Sequence, residues 1–308
     1  MQSPIIASEA MKEKYLHPTD KKALEALNKI PFFDKVCSKF IAWCQEPFYN
    51  VIDRSSKVRI SEKQLPKLYA MLTDICQKLA IEVPEFYLVL NRFPNAYTYG
   101  NEHPSVTITS GLLEIMNEDE IYCVIAHECG HIACNHVLYT TMAEILFMGG
   151  SIGAESVLGS NLFTKAILAP IKLALAHWYR CGELSADRAA AVCCGSADEV
   201  VSTMAKLAGG VSGGEYAIDY AVFAEQAKDY KEMLDDSKLN KLIEYSQIFS
   251  STHPLLAVRA NEIRDWTTTD DFKSIAYPKR KGKSKLKEDE SLKKKKRGLF
   301  GLLRRKDK

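Results

Sequence analysis

What the chain lacks narrows the field before what it holds. Nowhere in its 308 residues is there an apolar run that is both unbroken and long enough to cross a bilayer. The richest stretch, residues 145–163, carries Glu155, Ser151, Ser156, Ser160, Asn161 and four glycines, and Lys165, Pro170 and Lys172 follow it. Residues 142–176 are therefore expected to form a helical hairpin, not a membrane span. Residues 1–14 offer no apolar segment after a basic start, so a secretory signal is not expected. Glycine is scarce, at 16, no internal repeat is visible, and hydrophobic residues make up 46%. One sizeable core, with or without a helical appendage, is the expectation. The nine cysteines are an odd number set in helical contexts. That excludes a fully paired disulfide framework and points to reduced thiols in the cytoplasm.

A dominant charge is absent from the whole, at net +2, but not from its parts. From Lys279 onward fifteen Lys or Arg stand against four acids, a balance of +11, which leaves −9 on the first 278 residues. Residues 279–308 are expected to be a disordered basic tail. Within it the apolar hexad Gly298-Leu299-Phe300-Gly301-Leu302-Leu303 lies between basic clusters and could settle on an anionic membrane, giving peripheral association. A tail that stays solvated or folds over the acidic body is the alternative, and nucleic acid is a disfavoured partner.

Histidine is sparse too, at seven, which makes the spacing of two of them informative. In His127-Glu128-Cys129-Gly130-His131 the imidazoles stand about 40° apart on one helix face, with the carboxylate beside them. Two such imidazoles can hold a divalent ion that brings the pKa of a bound water to about 7, and Glu128 can take the proton as that water attacks a carbonyl. Chance yields the pattern in on the order of one chain in a hundred, so the surroundings must decide. Upstream, Asn117 and Glu120 read as a capping box, three acids fall in the first turn, and Ile121, Val124, Ile125 and Ile132 form an apolar stripe. A central, buried helix is expected. His136, nine residues past His127, falls about 180° round that helix and is expected to point away, in a structural or surface role.

A catalytic zinc takes three protein ligands and keeps one position open. The best third candidate is Glu183, in Gly182-Glu183-Leu184-Ser185-Ala186-Asp187-Arg188, ahead of an alanine-rich run that reads as helix. Glu183 and Asp187 share a face, so one can bind metal while the other accepts the outer N–H of a ligating histidine. Alone, such a pair is as readily a solvated acidic surface.

With these two motifs in this order, the chain resembles M48 peptidases, the Ste24 and HtpX-like gluzincins, which pair HExxH with a downstream E-x-x-A-D-R. The resemblance extends over residues 61–266. It includes Asn95-Ala96 in Pro94-Asn95-Ala96-Tyr97-Thr98-Tyr99-Gly100, Thr109-Ser110-Gly111-Leu112-Leu113, Thr252-His253-Pro254 and Arg259. It implies one zinc ion per chain on His127, His131 and Glu183, Glu128 as general base, and Asp187 orienting a ligating histidine. It also implies that a stretch around Asn95, Ala96 and Tyr97 serves as an edge strand for substrate. Such a strand would hold a peptide by its backbone, giving broad specificity; a turn-rich loop is the alternative. His253 resembles the family's oxyanion-stabilising histidine, with a surface helix cap as the alternative, and the fork of Arg259 could pair with a carboxylate.

The remaining segments set the architecture. Residues 18–28 and 32–44 read as helices, Ser61-Glu62-Lys63-Gln64 as a capping box opening a helix to about Ala80, and residues 57–60, 85–90 and 105–109 as strands. A second capping box at Ser196 and Glu199 opens a helix ended by Gly209-Gly210, and helix continues to Trp266. The expected fold is α+β, predominantly helical, with a small mixed or antiparallel sheet beside the HExxH helix. It comprises an N-terminal helical region (1–60), a metallopeptidase-like domain (61–270) and the tail. The expected function is a zinc-dependent endopeptidase acting on peptides or unfolded proteins, in protein quality control, as the resemblance implies. A metal-stabilised non-catalytic binder of unfolded chains and a non-peptide amide hydrolase are the alternatives; a purely structural site has no use for Glu128.

Overall fold

Short segments rich in β-branched and aromatic residues give one small sheet, and helices surround it. The computed structural model describes residues 11–29, 46–100, 102–140, 162–210, 214–237 and 253–277, with isolated positions at 35, 38, 39, 41, 42 and 240. The expected helix at 32–44 and the first part of the expected hairpin lie largely outside the described residues, and the basic tail lies wholly outside them. In chain order the elements are α1 (Pro18–Asn28), α2 (Glu46–Ser56), β1 (Val58–Arg59), α3 (Pro66–Leu79), β2 (Glu85–Val89), β3 (Ala96–Tyr99) and β4 (Ser105–Thr109). There follow α4 (Ser110–Ile115), α5 (Glu118–Ala133), α6 (Leu162–Cys194), α7 (Asp198–Gly209), α8 (Tyr220–Asp236), α9 (Leu256–Thr267) and α10 (Asp270–Ala276).

The sheet is mixed, in the order β1-β2-β4-β3. β2 and β4 are parallel, with Glu85 opposite Ser105, while β1 and β3 join antiparallel at the two edges. β4, with Val106, Thr107, Ile108 and Thr109, is buried along its whole length, as β-branched residues in a central strand should be. Leu72 and Ile75 of α3, Phe86, Val106, Ile108, Leu112 and Ile125 form the dry centre between the sheet and α5.

α5 starts as its sequence dictates. Asn117 Oδ1 accepts from the Glu120 amide, and Glu120 Oε2 accepts from the Asn117 amide, both at 2.9 Å, with three acids at the positive end of the dipole. Glycine matters at position 130. A Cβ there would meet Ala186 Cα and Ala189 Cβ at 3.0 Å, so α5 and α6 touch almost backbone to backbone and bring Glu183 opposite the histidines.

Several boundaries differ from expectation. Ser61 to Gln64 closes on itself as a bridged turn, and the helix starts later, where Pro66 supplies the fixed φ of a first helical residue after Leu65 at φ 56°. Ser196 Oγ accepts from the Asp198 amide at 3.1 Å, so α7 begins two residues after it. α2 was not expected, because its sequence EPFYNVIDRSS mixes aromatic, β-branched and turn-forming residues. α6 runs unbroken through Pro170. Among the described residues no helix is long and apolar enough to cross a membrane.

Candidate metal centre

Three ligating atoms converge between α5 and α6. His127 Nε2 lies 3.2 Å from His131 Nε2, His131 Nε2 lies 3.2 Å from Glu183 Oε1, and His127 Nε2 lies 3.6 Å from Glu183 Oε2. Zinc–ligand bonds of about 2.0–2.1 Å at tetrahedral angles place ligand atoms about 3.3 Å apart. The three side chains therefore stand close to the spacing such an ion needs, with His131 nearest Oε1 and His127 nearest Oε2 of Glu183. His253 also brings a nitrogen within 4.8 Å of ligating atoms of His127 and Glu183. Both its nitrogens, however, already have partners: Nδ1 is 3.0 Å from Glu183 Oε2, and Nε2 is 3.2 Å from the Ala96 carbonyl. The closer trio is the stronger donor set.

Behind the trio lies a charged layer. His127 Nδ1 is 3.0 Å from Asp187 Oδ1, and Arg259 forks onto Asp187 while its Nη1 donates to Glu183 Oε2 at 2.6 Å. Burial alone would raise Glu183, but Arg259, His253 and the two imidazoles more than offset it and hold the carboxyl well below its ordinary range. Asp187 is lowered likewise, with Arg259 and His127 overcoming burial. Burial opposes protonation of His127 too, yet Asp187 and Glu183 raise it to about 10. In His131 burial prevails and lowers the pKa despite Glu183.

His136 was expected to point away from the ligands. Instead α5 stops at Ala133, the chain reverses at Asn135 in the left-handed region at φ 59°, and His136 returns with its Nδ1 3.1 Å from His131 Nδ1. Its Nε2 meets Asp20 Oδ2 of α1 at 2.8 Å. The helix ends before His136, so its 3.6-residue period does not set where that ring points. Asparagine at 135, a residue tolerant of positive φ, was the available signal.

Glu128 stands beside the trio. Its Oε2 accepts from Thr98 Oγ1 at 2.7 Å, a contact sequence reasoning missed, and its buried Oε1 has no hydrogen-bond partner. His253 Nε2 lies 3.7 Å from that oxygen. Of the expected substrate segment, Ala96 and Tyr97 lie in β3, which among the described residues pairs only with β4. The Asn95 carbonyl accepts from the Thr109 amide at 3.0 Å, so by strand alternation the amides of Ala96 and Thr98, not those of Asn95 and Tyr97, face the outer edge. Two recesses flank Glu128 and His253. One, apolar and lined by Leu112, Val124, Val200, Met204 and Leu207, has a cavity volume of about 30 Å³; the other, bordered by Tyr97, Thr98, His131 and Tyr179, has about 20 Å³.

The sequence is similar to those of known proteins. Residues 62–267 match the family model described as peptidase family M48. Plastoglobule-localized metallopeptidase 48, chloroplastic, of Arabidopsis thaliana is 30% identical over 274 residues, covering 88% of this chain and 77% of that protein. A protease HtpX homolog of Campylobacter curvus is 31% identical over 180 residues, or 51% of this chain and 62% of the relative. Another, of Trichormus variabilis, is 31% identical over 170 residues, or 48% and 59%. The aligned parts thus span about three fifths of these two HtpX homologs. No solved structure matches the chain.

Proposed function

We propose that this chain, which belongs to peptidase family M48, is a zinc-dependent endopeptidase that cuts peptides and unfolded proteins, in protein quality control. The reading rests above all on Glu128, a buried carboxylate with one oxygen held by Thr98 and the other without a hydrogen-bond partner, beside two imidazoles and a carboxylate that approach one another within 3.2–3.6 Å. His127, His131 and Glu183 would hold the metal, and two imidazoles with one carboxylate suit zinc. When bound, zinc lowers the pKa of a water toward about 7 and polarises the scissile carbonyl. Glu128 accepts the proton at Oε1 and later delivers it to the leaving amine, while Thr98 keeps the carboxylate from rotating away. His253 would donate its Nε2–H to the oxyanion by turning it away from the Ala96 carbonyl that it meets at 3.2 Å. Asp187, fixed by Arg259, orients His127.

The edge of β3 supports an extended substrate, since strand addition reads main chain and requires a segment free of its own fold. A merely structural metal site is disfavoured, because it would have no role for an unpartnered buried carboxylate oxygen.

Replacing Glu128→Gln should lower cleavage of an unfolded casein-type substrate by about 10²- to 10⁴-fold, while metal analysis still finds one zinc per chain. A variant that cleaves at the wild-type rate would overturn the assignment.

A further inference from the structure

The two histidines of the metal helix are held from behind in different ways. His127 Nδ1 meets a carboxylate directly, that of Asp187. His131 Nδ1 meets another imidazole, that of His136, and the carboxylate comes only one step later, from Asp20. Hydrogen positions along this path follow from chemistry. If His131 Nε2 faces the metal, its Nδ1 carries the proton and donates to His136 Nδ1. His136 then holds its own proton on Nε2 and donates it to Asp20 Oδ2. Ser185 Oγ, 2.5 Å away, donates to the same Asp20 oxygen and accepts from the His17 amide at 2.9 Å. Each bond in the series has one donor and one acceptor.

The path is built, not incidental. Asp20 and His136 are both 0% exposed. Trp178 stands edge-on to the His136 ring at 5.4 Å. A Cβ on Gly182 would lie 3.3 Å from His136 Nδ1, so the residue before Glu183 leaves the space that the imidazole fills. α1 is anchored there by Leu27 and Ala23, which pack with Leu175 and Trp178 of α6, and by the Tyr139 hydroxyl donating to Asn28 at 2.8 Å. Asp20 lies well before residue 62, where the match to the family model begins.

We infer that Asp20, acting through His136, is a positioning residue for His131, so that α1 is a working part of the metal centre and not an appendage to it. The inference rests on the zinc-site reading above. An outer carboxylate that fixes the tautomer and direction of a ligating imidazole strengthens metal binding about ten- to hundredfold. An imidazole relay transmits the same constraint to a ligand that no carboxylate reaches directly.

The test uses the full chain carrying Asp20→Asn, His136→Asn or both. Zinc affinity is measured by competition with a chromophoric chelator, cobalt absorption reports ligand geometry, and melting in EDTA reports stability. Asparagine at 136 is too short to reach position 20, and asparagine at 20 keeps an acceptor but removes the charge that holds the His136 N–H, so each single variant weakens the same path. Both single variants are expected to bind zinc about ten- to hundredfold more weakly and to shift the cobalt band, with the double variant little worse than either. Should Asp20→Asn fail to fold, His136→Asn carries the test. Variants that melt lower in EDTA but bind zinc normally below their melting onset would overturn the inference, as would losses that multiply in the double variant. A wild-type chain that binds no zinc would overturn the function reading as well; variants matching a zinc-binding wild type overturn the relay alone.

Discussion

Arg259 and Asp187 meet fork to fork, Nε donating to Oδ2 at 2.8 Å and Nη2 to Oδ1 at 2.7 Å. The third nitrogen of the same guanidinium donates to Glu183. One cation thus serves two carboxylates that are almost completely buried. Arg259→Gln should cost the metal-free chain about 3–5 kcal/mol, the usual penalty for leaving buried charges without their partner. Arg259→Lys should recover little of it, because a lysine ammonium cannot fork. Urea unfolding in EDTA measures both, and a loss below about 1 kcal/mol would mean the ion pair contributes no more than an exposed one.

The Thr98 hydroxyl touches the chemistry through Glu128. Thr98→Val keeps the shape and removes the hydroxyl that fixes Oε2. A hydrogen bond to a charged group is worth about 1.5–3 kcal/mol, so kcat should fall about ten- to hundredfold with zinc content and KM nearly unchanged. A change confined to KM would mean that Thr98 acts on substrate binding and not on the base.

The buried ion network gives the metal-free chain a defined pH window. Glu183 and Asp187 titrate below their unfolded values, so the stability they lend is complete above about pH 4 and is lost as pH falls through their folded values. His127, raised from 6.5 to about 10, contributes fully below about pH 6.5 and loses its share as pH climbs toward 10. Melting temperature in EDTA should therefore fall as pH climbs from about 6.5 toward 10 and again as pH drops below about 4, while His131, lowered by burial, takes back part of the gain below 6.5. A steady rise from pH 5 to 9 would contradict this balance.

Thiol chemistry should be muted. Cys76, Cys123, Cys129, Cys134, Cys181 and Cys193 are free and buried, and Cys194 is only partly covered. Cys194 beside Cys123, and Cys76 beside Cys129, push those thiols up together with burial, and burial raises Cys134 and Cys193. Timed alkylation of the native chain followed by mass spectrometry should label Cys194 first among these seven. Rapid labelling of Cys129 would show that α5 opens readily.

The parts of the centre visible in the sequence are those set by local spacing. HExxH needs only that residues 127–131 be helical, and the capping box with its apolar stripe makes them so. Glu183 and Asp187 could be paired because they lie four apart on one helix. Thr98 and Asp20 were invisible because their roles depend on contacts across 30 and 116 residues, which no local period encodes. The strands at Glu85 and Ser105 were legible from β-branched content, but β2 and β4 pair in parallel past an intervening β3, a topology that alternation cannot reveal. Helix starts at Pro66 and Asp198 were displaced because a nearby turn used the serine hydroxyl or its backbone first.

The order of these groups along the chain constrains when the centre can operate. A ribosome delivers Asp20 first, then the metal helix, then Glu183 and Asp187, and only near the end His253 and Arg259. Until that last segment has emerged and docked, two acids destined for the interior lack the guanidinium that makes their burial tolerable. A chain synthesised only as far as Asp187 therefore lacks the counter-charge for both acids.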